Sequence, residues 1–149
     1  MKRRPLLPPA YFWTSCAVMA AVHFLLPVAR FTRPPHTYLG LVPLAIGLAI
    51  NIWCSELFNR RHTTVKPFER STELIVDGPY RFSRHPMYLG MVMALGGLAI
   101  LLGSVTPLVI VPVFGWLMNR KFIAPEERAM AEAFGEAYVE YKRRVRRWI

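Results

Sequence analysis

Arg84-His85-Pro86-Met87-Tyr88-Leu89-Gly90 opens a run, His85 to Asn119, that contains no Asp, Glu, Lys or Arg. This run decides the fold class. It exceeds the roughly 20 residues that carry a helix across a bilayer core of about 30 Å, and Gly103-Ser104 with Pro107 supplies a break near its middle. It reads as a helical hairpin of two short membrane crossings. Pro86 has a fixed φ and no N–H, which suits the first position of a helix. His85 therefore stands at the mouth of a helix that runs on through Ala99. Unpaired N–H groups and the positive end of the helix dipole favour an anion there, such as a ligand carboxylate. Arg81 and Arg84 reinforce that preference, while Tyr80, His85 and Tyr88 bring rings and hydrogen-bonding tips. The same residues also suit a plain membrane helix with a basic, aromatic interfacial end.

Upstream of this run, Asp77-Gly78-Pro79 is a turn, and the polar segment between Arg60 and Arg84 is too long for a structureless loop in a compact protein, so it reads as functional. Two more apolar stretches precede it, Tyr11–Ala29 and Tyr38–Ser55, separated by the Arg30–Thr37 loop with its Pro34-Pro35 break. His23 inside the first reads as a bundle-facing hydrogen-bonder rather than a ligand. Four crossings place both termini on one side. Lys2, Arg3 and Arg4, the basic residues of the Arg60–Arg84 loop and the cluster after Arg120 share that face, against Arg30 and Arg33 on the other. By the positive-inside rule the basic face is cytoplasmic.

Downstream, Pro125 begins an amphipathic helix with Glu126 and Glu127 in its first turn. Met130, Phe134, Tyr138, Tyr141, Val145 and Trp148 recur at helical spacing along it. Lys142, Arg143, Arg144, Arg146 and Arg147 are expected to meet anionic headgroups. Acids at a helix start have an ordinary role, complementing the dipole; two carboxylates directly after a membrane exit, facing the same interface as His85, ask for more.

Composition agrees with a membrane protein. Hydrophobic residues make up 54% of the 149 and the formal net charge is +10. Charges are segregated rather than spread, and nucleic-acid binding would not explain the long uncharged runs. Cys16 and Cys54 lie in apolar segments without metal-ligand spacing, and no metal is expected. The fold expected is all-α: a polytopic membrane protein of about four transmembrane helices, the last two a hairpin, plus a C-terminal amphipathic cytoplasmic helix, in a single domain.

Gly78-Pro79-Tyr80, Arg84-His85-Pro86-Met87-Tyr88-Leu89-Gly90, Glu126-Glu127 and Phe134-Gly135-Glu136-Ala137-Tyr138-Val139-Glu140-Tyr141-Lys142, in this order, resemble the isoprenylcysteine carboxyl methyltransferase family and the related phospholipid methyltransferases. The resemblance covers residues 59–149. It implies an integral membrane methyltransferase that uses S-adenosyl-L-methionine without a soluble nucleotide-binding domain, and the glycines here offer no GxGxxG after a strand. It places cofactor contacts on Thr72, Glu73, Leu74, Ile75, Tyr80, His85, Pro86, Met87, Tyr88 and Glu126, and makes Glu126 and Glu127 the catalytic candidates. It implies a lipophilic or small apolar acceptor (a carboxylate, amine or thiol), a cytoplasm-facing site, and the inner membrane if the source is bacterial. The prenylcysteine enzymes carry an arginine four residues before the glutamate matched by Glu126; Phe122 stands there, with Arg120 and Lys121 nearby. Two other classes stay open: a membrane oxidoreductase of the sterol reductase type using a nicotinamide nucleotide, and a non-enzymatic adaptor binding anionic lipid through its basic tail.

Overall fold

The computed structural model describes residues 7–26, 28–61 and 74–149. The regular elements among them are helices: α1 (Pro8–Leu25), α2 (Leu41–Arg60, entered through a 3₁₀ turn at His36–Gly40), α3 (Pro86–Leu102), α4 (Val105–Met118), α5 (Ala124–Phe134) and α6 (Glu136–Arg144). Prolines sit at the start of α1 and α3, where a missing N–H costs nothing. His85 caps α3 from outside with φ −131°. Gly103, in the left-handed region at φ +71°, ends α3 and turns the chain into α4, as the Gly103-Ser104 break predicts.

α2 packs along α3 more extensively than any other pair of elements. Glycines face each other on this seam. A Cβ on Gly47 would overlap the Gly90 carbonyl and the Ala94 N–H, and one on Gly97 would overlap the Gly40 carbonyl and the Leu44 N–H. Helices in lipid gain little from apolar burial against each other, so close backbone approach through small residues supplies the attraction. A core of Met19, Tyr88, Leu95, Ala99, Phe114, Met118, Phe122 and Ile123 joins α1, α3 and α4. At the hairpin end, Phe31 N–H donates to Gly103 O at 3.0 Å and Val105 N–H to Ala29 O at 3.0 Å. His23 Nδ1 lies 2.7 Å from the Ser104 hydroxyl, the bundle-facing bond expected of it.

Outward faces are apolar: Trp13, Phe24, Ile52, Val109 and Trp116 are all exposed. Against water such a surface would drive aggregation, and against acyl chains it is at rest. Among the described residues two helical stretches are long and apolar enough to cross a membrane, His36–Arg60 and Val105–Phe134, with Pro86–Leu102 a shorter apolar helix.

The C-terminal part differs from the sequence expectation. No separate helix begins at Pro125. α4 passes through a π turn at Asn119–Ile123 straight into α5, making one long helix whose apolar part is α4 and whose charged part begins at Arg120. The π turn shifts the hydrogen-bond ladder, Ala124 N–H donating to Asn119 O, and Pro125 follows it directly. The break comes at Gly135, φ +51°, and α6 ends at Arg144 with Val145 extended. Trp148 is therefore off the helical stripe on which its spacing placed it.

Candidate active site

The polar turn before α3 and the start of α5 meet at one end of the bundle. Between them, α1 and α6 enclose a cavity of about 250 Å³. Its apolar wall includes Leu74, Ile75, Met87, Met91 and Met130; Tyr80, Tyr88, Tyr138 and Tyr141 supply rings, and Arg84, His85 and Glu126 supply charge and hydrogen bonds. Of the sequence-identified residues, Leu74, Ile75, Tyr80, His85, Met87, Tyr88 and Glu126 line it. Pro86 is buried behind, starting the helix. Thr72 and Glu73 lie outside the described residues. Glu127 does not line the cavity.

The two neighbouring glutamates have different surroundings. Glu126 faces the cavity with its side chain 28% exposed, and the Tyr88 hydroxyl donates to its Oε2 at 3.2 Å. Burial raises its carboxyl above the ordinary value; the His85 ring and the Tyr88 bond pull the other way without cancelling that effect. Glu127 is buried. Its Oε1 accepts from Arg84 Nη2 at 2.7 Å and Arg147 Nε at 3.0 Å, with His85 Nε2 at 3.4 Å, while Arg147 Nη2 takes Oε2. Burial pushes its carboxyl up, but the hydrogen bonds from His85 and Arg147 and the two arginine charges overcome this and hold it well below the usual carboxylate range. Glu127 is thus the anionic pivot of an ion cluster, and Glu126 is the carboxyl that faces the cavity.

Arg84 carries a second signal. Its side chain is 8% exposed, and Nε has no partner among the described residues. A buried donor left unmade costs about 1–3 kcal/mol, and this one belongs to a cavity-lining side chain. An anionic ligand group would satisfy it. Tyr80 is held in the wall by its backbone, whose carbonyl accepts from the Tyr141 hydroxyl at 2.7 Å. Burial pushes Tyr138 up to about 12, so its ring stays neutral. Phe122 is buried and stacks on Tyr88 at 6.4 Å. Lys121 and Arg120 point elsewhere: Lys121 donates to the Tyr11 hydroxyl at 3.1 Å, and Arg120 lies over the Trp116 ring.

Sequence reading missed Arg147, assigning it to headgroups with the rest of the basic tail. Instead it turns inward to Glu127. Arg143 and Arg144 are exposed and lie near Glu140. Tyr138 and Tyr141 belong to the apolar stripe of the sequence, and in the structure both line the cavity.

Similarity to known proteins follows the same geometry. The chain is 27% identical over 106 residues to the cobalt-zinc-cadmium resistance protein CzcN of Cupriavidus metallidurans, covering 71% of this chain and 45% of that protein. It is 32% identical over 111 residues to a probable protein-S-isoprenylcysteine O-methyltransferase of Oryza sativa subsp. indica, covering 73% and 58%. The chain thus spans about half the length of these curated relatives. The solved structure of the eukaryotic intramembrane Ras methyltransferase ICMT shares the fold, with a TM-score of 0.67 at 20% identity over 95% of this chain and 50% of that one. The family model for phospholipid methyltransferases matches residues 35–137, and by that match, which takes in α2, the His85 turn and both glutamates, the chain belongs to the phospholipid methyltransferase family, with isoprenylcysteine methyltransferases among its relatives.

Proposed function

We propose that the protein is an S-adenosyl-L-methionine-dependent methyltransferase that modifies a lipophilic acceptor at the membrane surface. The observation that carries this reading is the buried Nε of Arg84, without a partner among the described residues, beside His85 on the wall of a cavity that also holds Glu126. The donor set fits a zwitterionic amino-acid end: a guanidinium and a helix mouth for the carboxylate, a carboxylate for the ammonium. Leu74 and Ile75 suit an adenine face, and the tyrosine rings suit a sulfonium.

When bound, this cofactor supplies an electrophilic methyl group. The residues of the chain then have three tasks. Arg84 and the N–H groups at the helix mouth beside His85 fix the carboxylate end. Tyr88 holds Glu126 at the cavity surface, where it takes the ammonium or orients the acceptor. Met87, Met91 and Met130 keep water out, and displacement in line needs such positioning more than an acid or base. For an amine acceptor, a proton must leave the nitrogen, and Glu126, with its carboxyl raised by burial, is the group placed to take it.

In this reading α1–α4 all cross the bilayer and the cavity faces the cytoplasm, on the side rich in Lys and Arg. The exposed Arg143, Arg144 and Arg146 then lie against anionic headgroups. Incubating purified protein with methyl-labelled cofactor and a membrane-lipid extract tests the function: label should move into the organic phase with the wild type and fall sharply with Glu126→Gln. Transfer undiminished in that variant would remove Glu126 from the chemistry.

A further inference from the structure

The last residues of the chain shape the site without lining the cavity. After Val145 the chain lies over the turn that precedes α3: Arg84 N–H donates to Arg146 O at 3.0 Å, and the Ser83 hydroxyl donates to Arg147 O at 3.2 Å. The same Ser83 oxygen accepts from His85 N–H at 3.1 Å. Trp148 packs against the core cluster and anchors the far end. Between these anchors the Arg147 side chain turns inward. Nε and Nη2 take one oxygen each of Glu127, and Nη1 donates to Asn119 Oδ1 at 3.3 Å. A planar guanidinium bound this way fixes the carboxylate's plane as well as its charge.

That plane decides what His85 presents to the cavity. Glu127 Oε1 lies 3.4 Å from Nε2, and Glu126 Oε2 lies 4.0 Å from Nδ1 on the other side of the ring. A neutral imidazole carries a single N–H, and the hydrogen bond made by one nitrogen decides the state of the other. We propose that Arg147 is a positioning residue: by orienting Glu127 it keeps the His85 proton on Nε2 and leaves the Nδ1 lone pair facing Glu126 and the cavity. With Nδ1 bare, His85 offers the cavity an acceptor for a donor group of a ligand, and it makes no hydrogen bond with Glu126 at 4.0 Å. With the tautomer reversed it would offer a donor instead, and Glu127 would lose its contact with the ring. The effect on turnover rests on the methyl-transfer reading; the tautomer itself does not.

The test uses the full chain in detergent with ¹⁵N-labelled histidine, the His85 signals being identified by their absence in His85→Ala. Wild type should show the Nε2–H tautomer. Arg147→Ala should shift His85 toward a mixture, Arg147→Lys should restore the wild-type signal only in part because an ammonium cannot span both oxygens, and Arg143→Ala on the exposed face should leave the His85 signal as it is in the wild type. Methyl transfer should fall about tenfold or more in Arg147→Ala, as for other groups that orient a functional histidine. In a Glu127→Gln background the same change should add less than about twofold, since both act through one contact. An Nδ1–H tautomer in the wild type, an unchanged tautomer in Arg147→Ala, or fully additive losses would overturn the assignment. Should Arg147→Ala fail to fold, Arg147→Lys and Glu127→Gln carry the same comparison. The expected tautomers without any methyl transfer would leave Arg147 as assigned and reject the reaction.

Discussion

Glu126 and Glu127 flank the His85 ring from opposite sides, Glu126 Oε2 4.0 Å from Nδ1 and Glu127 Oε1 3.4 Å from Nε2. Adjacent helical residues point about 100° apart, so one carboxylate reaches the cavity while the other reaches Arg84 and Arg147 behind it. The pair divides a cavity-facing carboxyl from one held in an ion cluster.

Single substitutions should separate those roles. Glu126→Gln removes a charge-assisted bond worth about 1.5–3 kcal/mol to a ligand, so turnover should fall roughly ten- to a hundred-fold, with little change in melting temperature. Glu127→Gln leaves Arg84 buried without its counter-ion, a loss on the order of 3 kcal/mol, and should lower the melting temperature markedly. Thermal melts and initial rates on both variants read this out. Equal behaviour of the two would erase the distinction.

Acid should act through Glu127. Its carboxyl is held below the ordinary 4.5, so its stabilisation is fully present above that pH and is lost as pH falls through the folded-state value. Glu126, raised by burial, works in the opposite sense: its cost exists above its folded-state value and disappears on acidification. Melting in detergent should therefore hold or rise slightly from neutral pH to about pH 5 and fall below it, and Glu127→Gln should flatten that fall. An unchanged slope would show that Glu127 is not the linked group.

The glycine seam gives a fold test with an internal control. Gly97→Ala drives a Cβ into the backbone of Gly40 and Leu44, whereas a Cβ at Gly96, one residue away, meets nothing within 4 Å. Gly97→Ala should cost about 1–3 kcal/mol or more. Gly96→Ala should be neutral or gain about 0.5–1 kcal/mol in helix propensity. Comparable melting of the two variants would mean that α2 and α3 do not pack as described.

Much of this was legible in the chain. The uncharged run from His85 to Asn119, Pro86 at a helix start and the Gly103 turn predict α3 and α4 because each rests on local chemistry. The membrane exit puts Glu126 and Glu127 at the same interface as His85, and only the family resemblance singles out Glu126 for the cofactor. The seam of Gly40, Gly47, Gly90 and Gly97 was not read, since small residues do not announce which helix they approach. Pro125 misled because a proline marks a helix start only where the ladder is intact, and the π turn had already shifted it. Arg147 looked like any basic tail residue. Its partner Glu127 lies across the Gly135 break, and no periodicity spans a break.

Orientation can be read by labelling intact cells. Arg33 lies in the loop between α1 and α2, and Glu132 on α5; both are exposed. With the cavity facing the cytoplasm, an impermeant thiol reagent should reach Arg33→Cys from outside and spare Glu132→Cys until the cells are opened. The reverse pattern would place the cavity on the outer face.

Titration of S-adenosyl-L-methionine into the purified chain is the most direct measurement of the central claim, that the cavity beside Arg84, His85 and Glu126 holds this donor. Saturable binding at one site per chain is expected, weakened in folded His85→Ala, which loses the helix-mouth residue, and in Tyr88→Phe, which loses the hydroxyl bound to Glu126. Calorimetry with a reduced nicotinamide nucleotide in parallel should show none. Binding of the nucleotide but not of S-adenosyl-L-methionine, or wild-type affinity in His85→Ala, would contradict the account.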